Sequence, residues 1–188
     1  MNSDRIKPLN SFKFNGSSVC YWMQRDKRVQ DNWALIHAQD LALKNKVPLY
    51  VCFTYLGKFE NANIRQYQFL FDGLKETSEK LNDKNIPFYL LNGDPVNEIS
   101  KFIEINNIGS LVTDFSPLKV YQNRVEKIAS KISIQFQQVD AHNIIPTWIA
   151  SEKQEYAAYT FRPKVLKKID EYLTDFPEII NHPIKPSI

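Results

Sequence analysis

A chain of 188 residues, 43% of them apolar, can bury the core of one domain but is short for two. Its charges nearly cancel, 24 basic against 21 acidic, and a net +3 gives no support to nucleic-acid binding through a strong overall field. No run has the length and apolarity of a membrane span, and Met1 to Asn10 lacks a signal-peptide core, so a cytoplasmic location (or nuclear, in a eukaryote) is expected.

Residues 1–17 are polar, carry one Pro and one Gly, and read as a lead-in arm. Val19 to Met23 is a short apolar run that reads as the first strand. A charged loop follows, and then Ala34, Leu35, Ala38, Leu41 and Ala42 recur at helical spacing, with Asp31 expected as the N-cap. Leu49 to Phe53 is a continuous apolar run of the kind buried on both faces. Tyr67, Leu70, Phe71, Leu74 and Leu81 mark a long helix, and Ile86 to Leu91 the third strand. Asp94 and Pro95 place a cap and a first-turn proline ahead of a helix with Val96, Ile99 and Ile103 inward. Leu111 to Thr113 is the fourth strand, and Ser116-Pro117 looks like a second cap-then-proline start, with Leu118, Tyr121, Val125 and Ile128 inward. Ile132 to Val139 alternates in part, which suits a strand at the sheet edge. A last helix is expected from Pro163, with Val165, Leu166, Ile169, Tyr172 and Leu173 inward. Cys20 and Cys52 fall at matching points of two strand runs and read as buried free thiols rather than a disulfide.

Strands alternating with helices predict an α/β fold: a Rossmann-like five-stranded parallel sheet, order 3-2-1-4-5, with helices on both faces and a C-terminal extension with one helix. The domain division is an arm over 1–17, the α/β domain over 18–140, and an extension and interdomain linker over 141–188. The order makes the first and fourth strands neighbours, and ligands of such sheets bind where the strand order reverses.

The five glycines form neither a dinucleotide fingerprint nor a P-loop, the three histidines are scattered, and no Gly-x-Ser-x-Gly elbow occurs. A self-contained kinase, dehydrogenase or hydrolase is therefore not expected. What remains is a crevice with Arg25, Asp26, Arg28, Asp31 and Asn32 on one lip and Asp114, Phe115, Ser116 and Lys119 on the other. Met23 and His142 join them as candidate cofactor-binding residues. Guanidinium forks and a capped helix N-terminus suit a planar or anionic ligand. The same charges can instead pair among themselves to hold a long loop, Asp114 can serve as a turn residue, and His142 as a structural histidine. Trp22, Trp33 and Trp148 can be core packing as readily as stacking or redox groups.

The strings carry more than the residue types. Arg25-Asp26-x-Arg28-x-x-Asp31-Asn32-x-Ala34-Leu35, preceded by Tyr21-Trp22-Met23 and containing Trp33, resembles the opening motif of the photolyase/cryptochrome family, the class II cyclobutane-pyrimidine-dimer (CPD) photolyases in particular. Leu111 to Leu118, Val139 to Trp148, Ser151 to Ala158 and Thr160-x-Arg162-Pro163-Lys164 follow in order and spacing, so that the resemblance covers roughly Val19 to Pro177. Gln24 and Tyr159 depart from the small serine and the basic residue expected there. The resemblance implies the N-terminal antenna domain of a light-driven DNA-repair lyase. Such a domain binds an antenna chromophore of the 8-hydroxydeazaflavin or folate type. FAD and the cleft for the flipped dimer belong to a helical domain, in cis or as a separate chain, that this sequence does not resemble. By that reading the piece is not a lyase alone, and pyrimidine-dimer DNA is a partner of the full enzyme only. Any DNA contact by the piece alone is expected to be sequence-neutral and salt-sensitive. An apolar patch from Ile144 to Trp148 and the last helix is expected where the helical domain docks, with a homodimer through the same face as another use of it. Two alternatives stay open: a stand-alone nucleotide or flavin sensor, and a structural or interaction remnant.

Overall fold

The computed structural model of the chain describes residues 1–57 and 62–186. Strand β2 (Ser18–Met23) is buried along its whole length and forms the middle of the sheet with β5 (Ile108–Asp114), which is also buried throughout. The order is β1-β6-β5-β2-β3-β4, with β1 (Ile6–Pro8), β3 (Leu49–Tyr55), β4 (Phe88–Asn92) and β6 (Gln135–Val139) completing it. All pairings are parallel except β1 against β6. The five parallel strands thus stand in the order the sequence predicts, with the first and fourth side by side. The added strand comes from the lead-in arm, where Ile6 lies opposite Val139 and Pro8 opposite Gln137. A three-residue strand containing proline carries little sequence signal, and an edge is where such a strand is tolerated. It covers β6, which is therefore not the edge that its alternation implied.

Period-two alternation divides the core. Val19, Tyr21 and Met23 pack with α1 (Trp33–Asn45) and with Leu81 of α2 (Ile64–Asn82). Cys20 and Trp22 face the opposite layer of α3 (Pro95–Ile105) and α4 (Lys119–Lys131). The two thiols are free and buried, 3.5 Å apart on neighbouring strands. Gly16 and Gly109 let the arm cross the start of β5: a Cβ on Gly16 would lie 2.5 Å from the Gly109 nitrogen.

Helix starts differ in detail from expectation. Asp31 adopts a left-handed φ of 53° just before the helix, and Asn32 is the N-cap of α1, accepting from Ala34 and Leu35. Asp94 and Pro95 start α3 as predicted. Ser116 and Pro117 do not start α4. That helix begins at Lys119 with no side-chain cap, Leu118 is exposed, and the Ser116 carbonyl accepts from Gln122 Nε2 at 2.7 Å. The C-terminal extension holds three short helices, α5 (Thr147–Ala150), α6 (Ala158–Leu166) and α7 (Ile169–Tyr172), with Pro163 inside α6 rather than opening it. Leu166 and Leu173 point outward, while Tyr172 joins Ile145 and Ala150 in a small cluster. Ile145 and Pro146 are consequently buried, and of that segment only Ile144 is an exposed apolar residue, with Trp148 half-buried and its indole N–H donating to the Asp4 carbonyl.

Two anchors close the molecule. Arg5 is buried, donates to the carbonyls of Asn143 (2.8 Å) and Asp140 (3.3 Å), and lies against the rings of Trp33 and Tyr172. The tail lays Phe176 on Trp33 (4.4 Å between ring centroids), buries Ile179, and exchanges two hydrogen bonds between Gln39 and the Ile180 backbone.

Candidate functional site

Two groups of side chains occupy the C-terminal end of the sheet. The first is a polar knot on the β5 side. β2 runs into a loop over 24–32 whose start is held by one carboxylate. Asp114 accepts from the backbone N–H groups of Gln24 (2.8 Å), Arg25 (2.6 Å) and Asp26 (3.0 Å) and from the Tyr21 hydroxyl (3.2 Å). Three successive amides aimed at one anion hold the strand-to-loop turn as a backbone nest holds a bound anion. Burial, with Asp114 beside it, pushes the Tyr21 hydroxyl well above its ordinary pKa and keeps it a donor. Asn32 closes the loop from the other end, its Nδ2 donating to the carbonyls of Asp26 (3.2 Å) and Arg28 (3.0 Å) while Oδ1 caps α1.

Asp26 is the second buried carboxylate of the knot. Its Oδ1 meets Arg28 Nε at 3.1 Å and His142 Nδ1 at 3.5 Å, while Oδ2 is buried with no hydrogen-bond partner among the described residues. Burial raises its pKa against the pull of Arg28 and His142. The structure thus joins Asp26, Arg28, Asn32, Asp114 and His142 in one network. Phe115 lies edge-on to Trp148 (5.5 Å), Ser116 is buried, and the side chains of Arg25 and Lys119 reach solvent. The two buried carboxylates and the loop amides are engaged chiefly with one another, while the Arg25, Arg28 and Lys119 cations lie at the surface.

The second group is a cavity of about 260 Å³ on the β3 side, above the ends of β2 and β3 and between α2 and α4. Trp22, Met23 and Gln24 form part of its lining, with Phe53 and Tyr55 from β3, Tyr67 from α2 and Tyr121 from α4. Met23 is the one residue among the sequence-derived candidates that lines it. Tyr55 is fixed edge-on against Tyr67 and Phe71 (6.0 and 5.1 Å), and its hydroxyl donates to the Gly57 carbonyl. Two cations complete the wall: Lys27 Nζ lies 5.6 Å from the centre of the Phe53 ring, and the Arg124 guanidinium 5.3 Å from that of Tyr121. Desolvation against the cavity wall, opposed by the carboxylates of Asp114 and Asp26, lowers the Lys27 pKa, although the residue keeps an exposed fraction. Among the described lining residues there is no Asp or Glu.

Aromatic faces, two cations over rings and no carboxylate among the described lining residues are the chemistry that suits a flat, electron-rich or anionic ring system. Sequence reasoning missed Lys27, Arg124 and the tyrosines because they come from four separate elements and no short string joins them. The signal that exists is partial: Tyr67 and Tyr121 belong to the inward helical stripes. No group of His, Cys, Asp and Glu among the described residues could hold a metal ion. No helix among them is long and apolar enough to cross a membrane.

The sequence matches the DNA photolyase family over residues 19–182. It is 46% identical to the deoxyribodipyrimidine photo-lyase of Potorous tridactylus, across 100% of this chain and 36% of that protein. It is 41% identical to the protein of the same name from Arabidopsis thaliana, across 86% of this chain and 33% of that one. The chain therefore spans about a third of the length of these relatives. Among solved structures, a bacterial class III photolyase from Agrobacterium tumefaciens superimposes with a TM-score of 0.66 over 92% of this chain and 37% of that one, at 16% identity, which is a likeness of fold. A family match over nearly the whole chain, on an α/β sheet with the predicted strand order, leads to one conclusion: this chain belongs to the DNA photolyase family.

Proposed function

We propose that the chain is the antenna-binding α/β domain of a class II CPD photolyase and that the aromatic cavity, rather than the charged crevice, receives the light-harvesting chromophore. The observation that carries this reading is the pairing of two ring-stacked cations with an acid-free aromatic lining at the end of the sheet where α/β folds bind ligands. A chromophore of the deazaflavin or folate type supplies light absorption when bound. Lys27 and Arg124 offset its negative charge, and Phe53, Tyr55 and Tyr121 present faces and edges that fix its plane. The polar knot sets the angle at which Gln24 and Lys27 leave β2, and so acts on the site by positioning.

Repair of the dimer belongs to the assembled enzyme. An FAD-bearing helical domain, in cis or as a second chain, cleaves the bonds of a flipped pyrimidine dimer. Residues 18–140 form the domain proper in this reading, and 141–188 lead to that partner. Exposed Ile144, Tyr159, Leu166 and Leu173 supply apolar surface for docking it. A second copy of this chain on the same face is the other occupant, and sedentation in solution separates the two: a monomer that binds an added helical domain supports the proposal.

The test is titration of the purified chain with 8-hydroxy-5-deazaflavin and with methenyltetrahydrofolate, followed by chromophore fluorescence. Saturable binding of either, weakened about tenfold in Arg124→Ala but unchanged in Arg25→Ala, is expected. No binding of either, or equal loss in both variants, overturns the assignment of the cavity.

A further inference from the structure

The two outer edges of the sheet are built differently. At β1 the Leu9 N–H donates to the Phe136 carbonyl and the Asp140 N–H to the Arg5 carbonyl, so the backbone groups of Arg5, Lys7 and Leu9 face β6 and those of Ile6 and Pro8 face outward. Pro8 has no N–H to offer, Lys7 adds an exposed charge, and the strand is three residues long, all ways of closing an edge. β4 has none of these devices: Phe88-Tyr89-Leu90-Leu91-Asn92 carries neither charge nor proline. The Val51 N–H donates to the Pro87 carbonyl and the Gly93 N–H to that of Tyr55, so Pro87, Tyr89, Leu91 and Gly93 face β3. The N–H and C=O groups of Phe88, Leu90 and Asn92 therefore point away from the sheet. No hydrogen bond among the described residues reaches them. The Tyr89 and Leu90 side chains beside them are 39% and 47% exposed.

We propose that β4 is an interface for a second copy of this chain, joined edge to edge and antiparallel about a two-fold axis at Leu90. An antiparallel partner must offer an acceptor to each outer N–H and a donor to each outer C=O. β4 does this for itself in one symmetric register, Leu90 opposite its own copy and Phe88 opposite Asn92, and sliding the copies by two residues leaves an end unpaired. In that register Tyr89 lies opposite Leu91, so apolar side chains meet across the joint and like charges do not. The helices that pack on β4 balance their charges locally, Lys80 with Glu76 on α2 and Lys101 with Glu98 on α3, so setting each beside its copy opposes no block of one sign. The closed β1 edge offers β4 no alternative, so the assembly stops at two copies and does not grow into a filament. The proposed docking face for the helical domain lies toward the other edge, where the Tyr172 hydroxyl of α7 donates to Asp4 at 2.9 Å just ahead of β1. The dimer leaves that face open, and the inference stands apart from the reading of the cavity.

The experiment is sedimentation equilibrium of the chain over a concentration series. One strand with its flanking helices is a small interface, so a monomer–dimer constant of about 10 to 100 µM is expected, and below that range the chain is the monomer that receives the helical domain. Leu90→Lys and Leu90→Glu each set a like charge across the axis and should weaken association by about tenfold or more, with thermal midpoints showing both variants folded. An equimolar mixture of the two should recover association, because opposite charges then face each other at the axis. Asn92→Pro, which removes an outer N–H without touching Leu90, is a second, backbone test and should weaken association about fivefold. Hydrogen exchange should slow with concentration at the Phe88, Leu90 and Asn92 amides, while Tyr89 and Leu91 stay protected throughout. A chain that remains monomeric to about 500 µM overturns the inference, being well above the expected constant. So does a dimer that survives both Leu90 variants and is lost in Leu166→Ser, which puts the copy on the docking face instead. Failure of the mixture to recover association overturns the two-fold register, and growth beyond two copies overturns the closure.

Discussion

The polar knot and the aromatic cavity lie within a few residues of each other at the same end of the sheet, yet they are opposite kinds of structure. The knot turns its polar groups inward: one carboxylate meets three amides and a hydroxyl, and one asparagine both caps a helix and ties a loop. The cavity wall is mainly aromatic and apolar, and its two cations, Lys27 and Arg124, lie over rings. On the proposed assignment, the difference teaches that density of charged residues in a loop is a poor guide to a ligand site. Unspent interaction capacity beside an apolar wall is a better one, because a guest can gain there without first breaking a bond.

The largest expected effect tests the structural half of this contrast. Asp114→Ala removes the acceptor for four donors, three of them buried, and charge-assisted bonds of this kind leave a deficit of about 3 kcal/mol or more when lost. Urea unfolding should show a shift of that size. A stability within about 0.5 kcal/mol of wild type would mean the carboxylate is free for a ligand after all.

Next in size are the cavity cations. Lys27→Ala and Arg124→Ala should each weaken deazaflavin binding about tenfold, in line with a partly desolvated cation near a ring and an anion, while stability changes by less than about 1 kcal/mol. Calorimetric titration and thermal midpoints measured on the same samples separate the two effects. If stability falls and affinity does not, the cavity is packing and not a site.

A smaller effect belongs to Arg28→Ala. The guanidinium is half exposed, so its ion pair with Asp26 contributes little, about 1 kcal/mol at most. Chromophore affinity should not change. A tenfold loss of affinity would return the site to the crevice.

The smallest effect is a pH slope. Burial holds the Asp26 carboxyl above its ordinary value of 3.8, so the folded protein binds that proton more tightly than the unfolded chain does. Its contribution therefore favours folding at the acid end and declines as pH rises from 3.8 through the raised folded value, remaining reduced at neutrality. Asp26→Asn should flatten this part of the profile and leave the protein equally stable or slightly more stable near neutral pH. Paired urea titrations across that window check it, and a steeper decline in the variant would contradict the buried, half-satisfied geometry.

Local pattern was enough for much of the architecture. Continuous apolar runs at Val19 to Met23 and Leu49 to Phe53 mark strands buried on both faces, and the helical stripes between them dictate parallel pairing with crossovers. The motif strings were enough for the family. The site was legible only in part. Of the proposed cavity site, Met23 and the end of the sheet were named from the sequence, but Lys27, Phe53, Tyr55, Tyr121 and Arg124 were not, since their meeting depends on where α2 and α4 end up over β2 and β3. Asp31 and Asn32 are equally plausible caps as residue types, and only the left-handed turn at Asp31 decides for Asn32.

By itself, then, the sequence determined those features whose physics is local or periodic: the five parallel strands and the apolar stripes of the helices that cross between them, though not β1 or the outward turn of Leu118, Leu166 and Leu173. Tertiary structure alone decided how polar groups are satisfied. Whether Asp114 serves a ligand or the loop, and what Gln24 Nε2 donates to, depends on partners that lie some ninety residues away in the chain and are brought within 3 Å only by the β2–β5 pairing. Hydrogen-bond capacity is a property of assembled neighbours, and no reading of single strands can count it.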